Sequence, residues 1–342
     1  MVELNGKKIL VTFLMHLGDL TLTTPFIHAL RKAAPDANIT MLVDEKLKDV
    51  VLFNPYLDEV VTIDKKGRDN SILSLWACSR HLSKLDFDVL INLHPNERCS
   101  FIDAMTSVKL RTGTTHKIFK WFWDVFTPLD RSMHAADMYL DVLQQLGVQD
   151  LSNNGLEIFP GEEHFLEAEL FWQEQNITDQ DKLIGFNIGS AVPTKRWPPE
   201  RFAEVADIFA ARGYKTVFFG GPMDEEMVAE ATGYMQTRPI IATGHFAIGG
   251  LAAAMRRCCL IITNDSGPMH VAISQKVPIV AMYGPSNPKL YGPYTKEAVI
   301  VTAQPPCQGC ADGMKHSCDD LQCMTRMTVE QVVKAADTML NK

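Results

Sequence analysis

The chain has 342 residues, 46% of them apolar and 22% charged, with a formal net charge of −8. That balance belongs to a globular protein, and the length exceeds one ordinary core and suits two domains. The acidic charge argues against a general nucleic-acid binder, which needs a basic face for phosphates, but leaves room for a local basic cleft holding one anionic ligand. Near the N-terminus, Ile9 to Met15 is an apolar run of strand length, not a secretory signal, and no stretch reaches the roughly 18 apolar residues of a spanning helix. A cytoplasmic protein is expected, so the eight cysteines read as thiols or metal ligands before disulfides.

In chain order, Lys8–Leu14 is a β-rich apolar run. Leu20 to Ala33 carries helical spacing and stops before Ala34-Pro35. Asn38–Val43, Val60–Ile63 and Asp88–Leu93 read as further strands. Residues 151–160 are polar and punctuated by Gly and Pro, and a charged helix is expected at about Glu162–Asn176. The pattern then restarts: strand Lys182–Ile188, helix Pro199–Arg212 ended by Gly213, and strands Thr216–Phe219, Cys259–Thr263 and Pro278–Met282. At the end, Thr328 with Gln331 three residues on is a capping-box pattern opening a helix to Leu340. Apolar strands alternating with helices imply parallel sheets covered on both faces. The fold class is therefore α/β, with two doubly wound Rossmann-like domains facing a central cleft. Their expected bounds are residues 1–160 and 161–327, followed by a terminal helix over 328–342. Ligands bind such sheets at the carboxyl ends of the strands.

Three segments sit at those ends. Leu17-Gly18-Asp19-Leu20 follows the first strand, with the next helix expected at about Thr21. Asp19 reads either as a general base for a hydroxyl or as an N-cap. The dinucleotide fingerprint G-x-G-x-x-G is absent. In the second half, Gly189-Ser190 begins a turn that runs to Lys195-Arg196-Trp197-Pro198. It offers backbone donors and, in Lys195, a point charge suited to a pyrophosphate, with Arg196 in a structural part. Asn264-Asp265-Ser266-Gly267-Pro268-Met269-His270 then opens a helix with Pro at its start. The free N–H groups there form an anion site that His270 can reach, whereas a capping Asp and a core His are the plain alternatives.

These segments, read as LGDLTLTTPFIHALRKAAP, TKRWPPERFAEV and NDSGPMHVAISQKVPIVAMYGPSNP, together resemble the lipopolysaccharide heptosyltransferases, glycosyltransferase family 9. FGGPMDEE and the terminal cysteines add to the likeness, which runs over nearly the whole chain. The resemblance implies a GT-B fold, with an N-terminal domain for a lipopolysaccharide core acceptor and a C-terminal domain for an ADP-heptose donor. It implies direct displacement with inversion. Asp19 would be the general base and Lys195 would stabilise the departing diphosphate. Gly189, Ser190, Asp265, Ser266, Gly267 and His270 would hold the donor. Glu225 would contact its ribose, with Glu226 as the alternative register. No cofactor and no nucleic acid is implied, and the expected place is the cytoplasm or the inner face of the inner membrane, with at most peripheral contact. Other readings are a hexosyltransferase or epimerase of the same fold, or a non-catalytic nucleotide-sugar binder.

Two positions depart from the family. Phe13 stands where many members have Arg, and Asn92 where many have Asp before the strand-end His94. His94 and Arg98 are the candidate contacts to an anionic acceptor. Cys307-x2-Cys310-x7-Cys318-x4-Cys323 could form a structural zinc site, free thiols or local disulfides, its second arm departing from C-x2-C spacing. Cys78, Cys99, Cys258 and Cys259 read as packing residues. The aromatic, lysine-interleaved stretch His116–Phe126 reads as a core helix or as a contact with a membrane surface or lipid acceptor.

Overall fold

Near-continuous apolar runs need both faces of a sheet covered, and the strands they form are parallel at every pairing among the described residues. In this computed structural model, which describes residues 2–303, 310, 318 and 320–342, the chain divides into two units, Met1–Phe159 and Pro160–Lys342.

The first unit holds β1 (Lys8–Thr12), β2 (Asn38–Asp44), β3 (Glu59–Ile63), β4 (Val89–Asn92), β5 (Leu110–Gly113) and β6 (Val125–Phe126), in the order β3-β2-β1-β4-β5-β6. Its helices are α1 (Leu17–Thr21), α2 (Thr24–Ala33), α3 (Ile72–Ser83), α4 (Glu97–Met105) and α5 (Ala135–Gln145). Leu10, Leu42, Leu90, Cys99 and Ile102 are among the fully buried residues of a core between the sheet and α3 and α4.

The second unit opens with α6 (Glu162–Glu174). It then runs β7 (Leu183–Asn187), α7 (Pro199–Ala211), β8 (Lys215–Phe219), α8 (Glu225–Gly233), β9 (Ile240–Ile241), α9 (Ile248–Met255) and β10 (Cys258–Asn264). After these come α10 (Gly267–Ser274), β11 (Ile279–Met282), α11 (Pro288–Tyr291), β12 (Ala298–Val301), α12 (Gln322–Thr325) and α13 (Val329–Leu340). Its sheet order, β12-β11-β10-β7-β8-β9, is the same pattern as the first. In each sheet the connections reverse direction beside the first strand, between β1 and β4 and between β7 and β10. A doubly wound sheet leaves its ligand crevice at that point. Thr328 caps α13 through the reciprocal pair with Gln331, and Val332, Ala336 and Met339 seat the helix in the second core.

Three expectations are corrected. The helix expected from Leu20 to Ala33 is two helices. Pro25 cannot donate to the carbonyl of Thr21, and the Thr23 and Thr24 hydroxyls bond back to the carbonyls of Leu20 and Thr21 at 2.7 and 2.8 Å. The first of these helices begins at Leu17 rather than Thr21, with His16 at its N-cap. Asp19 is therefore not a cap but a half-buried acid in the first turn. Finally, His116–Phe126 is no core helix. Lys117–Phe122 is a 3-10 turn and Val125–Phe126 an edge strand; Trp121 is 82% exposed, whereas Trp123 is buried with its indole donating to the Thr112 carbonyl.

No helix among the described residues is long and apolar enough to cross a membrane.

Candidate functional site

At the β7–β10 reversal the polar residues that end the strands arrange the two loops. Asn264, the last residue of β10, donates to the Ile188 carbonyl at 2.7 Å and accepts from the Trp197 amide at 3.0 Å. Asn187, the last of β7, donates to the Thr263 hydroxyl and the Ser266 hydroxyl at 3.0 and 2.8 Å. Trp197 is fully buried, and its indole donates to the Met327 carbonyl at 3.0 Å. The chain at 195–197 is thus pinned on both sides.

That pinning delivers Lys195 to Asp265. Its ammonium lies 2.7 Å from the carboxylate, and the side chains are only 13% and 7% exposed. Ser286, just beyond β11, donates a short hydrogen bond to the same carboxylate oxygen. The Ser190 hydroxyl donates to the Asp265 carbonyl at 3.4 Å and accepts from the Val192 amide. Arg196 turns its guanidinium onto the Ser190 carbonyl at 2.7 and 2.9 Å, the structural part expected of it. Burial, and then the Asp265 charge, push the Tyr283 phenol far above its ordinary range, so it keeps its proton and donates a hydrogen bond to the Tyr291 carbonyl at 2.8 Å.

Ser266 is the N-cap of α10, Gly267 and Pro268 are its first residues, and His270 is buried in the first turn. Lys195, Ser190, Asp265 and the start of α10 therefore form one constellation. Gly189 sits over a different acid: a β-carbon there would lie 2.2 Å from an Asp224 carboxylate oxygen, so any larger residue would have to displace the carboxylate that the Gly221 amide holds. Glu225 and Glu226 are both exposed, and the Glu225 carboxylate lies against Gly244. Asp224, Ser286, Asn187 and Asn264 were not singled out from the sequence. For Asn187 and Asn264 the legible signal was a polar residue closing an apolar strand.

In the first unit the β1–β4 reversal carries Asp19 and His94. Lys65 is buried, and its ammonium donates to the carbonyls of Leu14 and Met15 at 2.9 and 2.8 Å and pairs with Asp44 at 3.2 Å. It thereby holds the turn that enters α1. Arg98 donates to the Lys65 carbonyl and the Asn70 amide oxygen, at 2.5 and 2.7 Å, which anchors its guanidinium beside the segment that leads into α3. His94 has its amide on the Asn92 side chain at 2.8 Å and its ring edge-on to buried Phe13 at 6.1 Å. Burial first, then the charges of Arg131 and His16, lower its imidazole to about 4. Near neutrality His94 is therefore uncharged. Arg131, exposed beside it, is a cation that no motif marked.

Beneath Asn92 lies a fully buried carboxyl, Asp103, which accepts from the Thr12 hydroxyl at 2.8 Å. Burial raises it from 3.8 to about 7, against the lowering effect of hydrogen bonds from Thr12 and Cys99. Gly113, at φ +90°, passes so close to Asn92 that a β-carbon would lie 2.2 Å from its carbonyl oxygen.

Of the four clustered cysteines, Cys307 lies outside the described residues. Cys310 and Cys318 are half-buried, and Cys323 is in the second core beside Met324 and Gly284. Among the described residues no three His, Cys, Asp or Glu side chains converge as a metal site.

Asp103 sets a pH dependence. Its folded carboxyl keeps a proton that the unfolded chain releases between about pH 4 and 7, so its contribution to stability falls as pH rises through that window. Asp103→Asn keeps the acceptor for Thr12 and has no proton to lose. Urea midpoints of the two proteins should therefore diverge in favour of the variant from pH 5 to pH 8; parallel curves would show that Asp103 ionises as an ordinary carboxyl.

The family model described as glycosyltransferase family 9 (heptosyltransferase) matches residues 75–318. The chain is 24% identical over 297 residues to lipopolysaccharide heptosyltransferase 3 of Escherichia coli K12, covering 82% of this chain and 84% of that protein. The crystal structure of the glycosyl transferase family 9 from Veillonella parvula DSM 2008 is 53% identical with a TM-score of 0.95, over 99% of each chain. The E. coli ADP-heptose lps heptosyltransferase II structure has a TM-score of 0.81 at 21% identity, over 98% of each chain. Its two Rossmann-like sheets are of the GT-B kind, and the chain is a glycosyltransferase that belongs to family 9, the heptosyltransferases of lipopolysaccharide biosynthesis.

Proposed function

We propose that this protein transfers heptose from ADP-heptose to a hydroxyl of the inner core of lipopolysaccharide, with inversion at the anomeric carbon. The observation that carries the donor assignment is the Lys195–Asp265–Ser286 cluster beside Ser190 and the start of α10. An ammonium held by a buried carboxylate is fixed in place before substrate arrives. Its remaining N–H bonds and the N–H groups opening α10 suit a diphosphate. Because the ion pair is formally neutral, the cluster gives directed donors rather than bulk positive charge. It stabilises most where charge grows, on the departing ADP.

In the proposed step the acceptor hydroxyl oxygen forms a bond to the anomeric carbon while the bond to ADP breaks. Asp19 takes the hydroxyl proton, and ADP leaves with the electron pair beside Lys195. Ser190, Asp265, Ser266, Gly267 and His270 line the donor side, with Gly189 admitting close approach of the chain and Glu225 reaching the ribose. His94, as a neutral donor or acceptor, and Arg98 serve the acceptor side, joined by Arg131. The N-terminal unit, residues 1–160, takes the acceptor, and residues 161–327 take the donor. The reaction needs no cofactor, and any zinc at the 307–323 cysteines is structural.

Asp19→Asn keeps the side-chain shape, and losing one acid from the first turn of a helix costs about 0.3–1 kcal/mol. Its melting temperature should barely move, while turnover should fall about 10²–10⁴-fold. Lys195→Ala should lower turnover about 10²–10³-fold and also lower the melting temperature, since Asp265 loses its counter-charge. ADP release from ADP-heptose, with and without core acceptor, reads both variants. Release that needs no acceptor would point to an epimerase or hydrolase instead, and full turnover in Asp19→Asn would send the search for the base to His16 and His94.

The same assay in excess EDTA should run unchanged, because Lys195 and backbone donors meet the diphosphate charge. Loss of activity restored only by a divalent cation would contradict this. Slow loss accompanied by unfolding would mark zinc at the cysteines.

A further inference from the structure

Five large apolar side chains stand exposed in two segments of the first unit. Ile72, Leu73 and Trp76, in the first turns of α3, are 72%, 78% and 51% exposed. Ile118 and Trp121, in the 3-10 turn after β5, are 59% and 82% exposed. Leaving such groups in water is unfavourable unless something covers them.

The topology brings the segments to one corner. In the order β3-β2-β1-β4-β5-β6 the connections β3→β4, β4→β5 and β5→β6 all run in one direction. Right-handed crossovers therefore place all three on one face of the sheet. Both apolar segments lie just after the carboxyl ends of their strands, β3 and β5, so they share one end of that face as well. Side chains join them: Arg98, at the start of α4, bonds to Lys65 and Asn70 just ahead of α3. Further along α4, Phe101 meets Phe119 of the 3-10 turn, ring centroids 6.3 Å apart.

The charge of this rim is opposite to that of the chain. Residues 66–80 and 117–124 hold Lys66, Arg68, Arg80, Lys117 and Lys120 against Asp69 and Asp124, in a protein of formal net charge −8; Arg68 is ion-paired with Asp69 and with Glu45, so the positive balance rests on Lys66, Arg80, Lys117 and Lys120. All five cations are exposed; Arg80 lies over the Trp76 ring and Lys120 over Phe126. Interfaces between proteins are depleted in lysine. Tryptophan tips among lysines and arginines, with apolar side chains projecting between them, are the chemistry of a bilayer's headgroup boundary.

We infer that this rim of the first unit, Ile72, Leu73, Trp76, Ile118 and Trp121 with its ring of cations, docks the protein on an anionic lipid bilayer. It concerns where the protein sits and does not rest on which sugar it moves. Insertion of Trp121 and Ile118 supplies apolar burial, and the cations select anionic headgroups.

Flotation with phosphatidylethanolamine vesicles containing phosphatidylglycerol tests it, with phosphatidylcholine vesicles alongside. The wild-type protein should float with the anionic vesicles, much less with the neutral ones, and less at high salt. The fourfold variant Ile72→Ser, Leu73→Ser, Ile118→Ser, Trp121→Ser should bind anionic vesicles about tenfold more weakly or worse. Its melting temperature and its turnover on a soluble core oligosaccharide should match the wild type. Lys117→Glu with Lys120→Glu should abolish the preference for anionic vesicles. The inference falls if the wild type does not float with anionic vesicles or if the fourfold variant floats equally well. It falls too if the wild type is a dimer that the variant makes monomeric, since the rim would then join two copies. Absence of heptose transfer by a protein that floats would sink the functional reading and leave the docking rim standing.

Discussion

Where two parallel strands diverge, the backbone groups at their ends lose the ladder that satisfied them, and this happens in the place a ligand must occupy. An orphaned buried N–H or C=O costs about 1–3 kcal/mol. The second unit meets that constraint with Asn264, whose amide takes the Ile188 carbonyl and the Trp197 N–H at once. One side chain closes the gap left by the missing ladder and fixes the chain two residues from Lys195. With Trp197 locked in the core and onto Met327, Lys195 has little freedom except toward Asp265. The geometry at the β7–β10 reversal is thus a consequence of satisfying backbone, and the ion pair follows from it.

The first unit solves the same problem with different groups. Asn92 ends β4 and takes the His94 amide, so it orients the strand-end histidine as Asn264 orients Trp197. On the far side of β1, Lys65 replaces missing ladder donors by bonding the Leu14 and Met15 carbonyls. A buried ammonium is costly unless fully partnered, and here two carbonyls and Asp44 partner it. Phe13, in the position where the family resemblance suggested arginine, is buried against His94 and Tyr139. An apolar ring there removes water from the imidazole and helps keep it neutral.

The strand–helix alternation and the restart in the second half were legible because buried parallel strands are nearly pure apolar runs, as in Leu183–Asn187 and Cys258–Asn264. Two of the edge strands were not: β6 and β9 have two residues each, too few for a period to appear, and β5, one strand in from β6, ends in the turn-like Thr-Gly. The break after α1 was hidden because Leu20 to Ala33 keeps helical spacing through it. The interruption comes from Pro25 and two threonine hydroxyls, which apolar periodicity does not register. On the site, Lys195 and Asp265 stood out as charges after apolar strands. Ser286 stood in a Gly-Pro-Ser-Asn-Pro loop whose meaning depended on which strand end it would adjoin, and Asp103 sat in a helix as one acid among many. Only the fold shows that the Asp103 carboxyl faces inward under β1.

Buried charge is handled oppositely in the two units, and this separates framework from chemistry. Lys195 and Asp265 carry largely enclosed side chains, 13% and 7% exposed, and each has the other as its counter-charge at 2.7 Å. Among the described residues no cation pairs with the Asp103 carboxyl; Arg111 bonds instead to its backbone carbonyl and that of Thr106. Its carboxyl accordingly stays largely protonated at mildly acid pH and serves as a neutral partner for Thr12. A group that must release and accept a proton during turnover needs water or substrate access, which Asp103 lacks and half-buried Asp19 has. Burial therefore ranks the two acids at the β1–β4 reversal: the deeper one fixes the strand end, and the shallower one keeps contact with solvent, as the base proposed for the reaction requires.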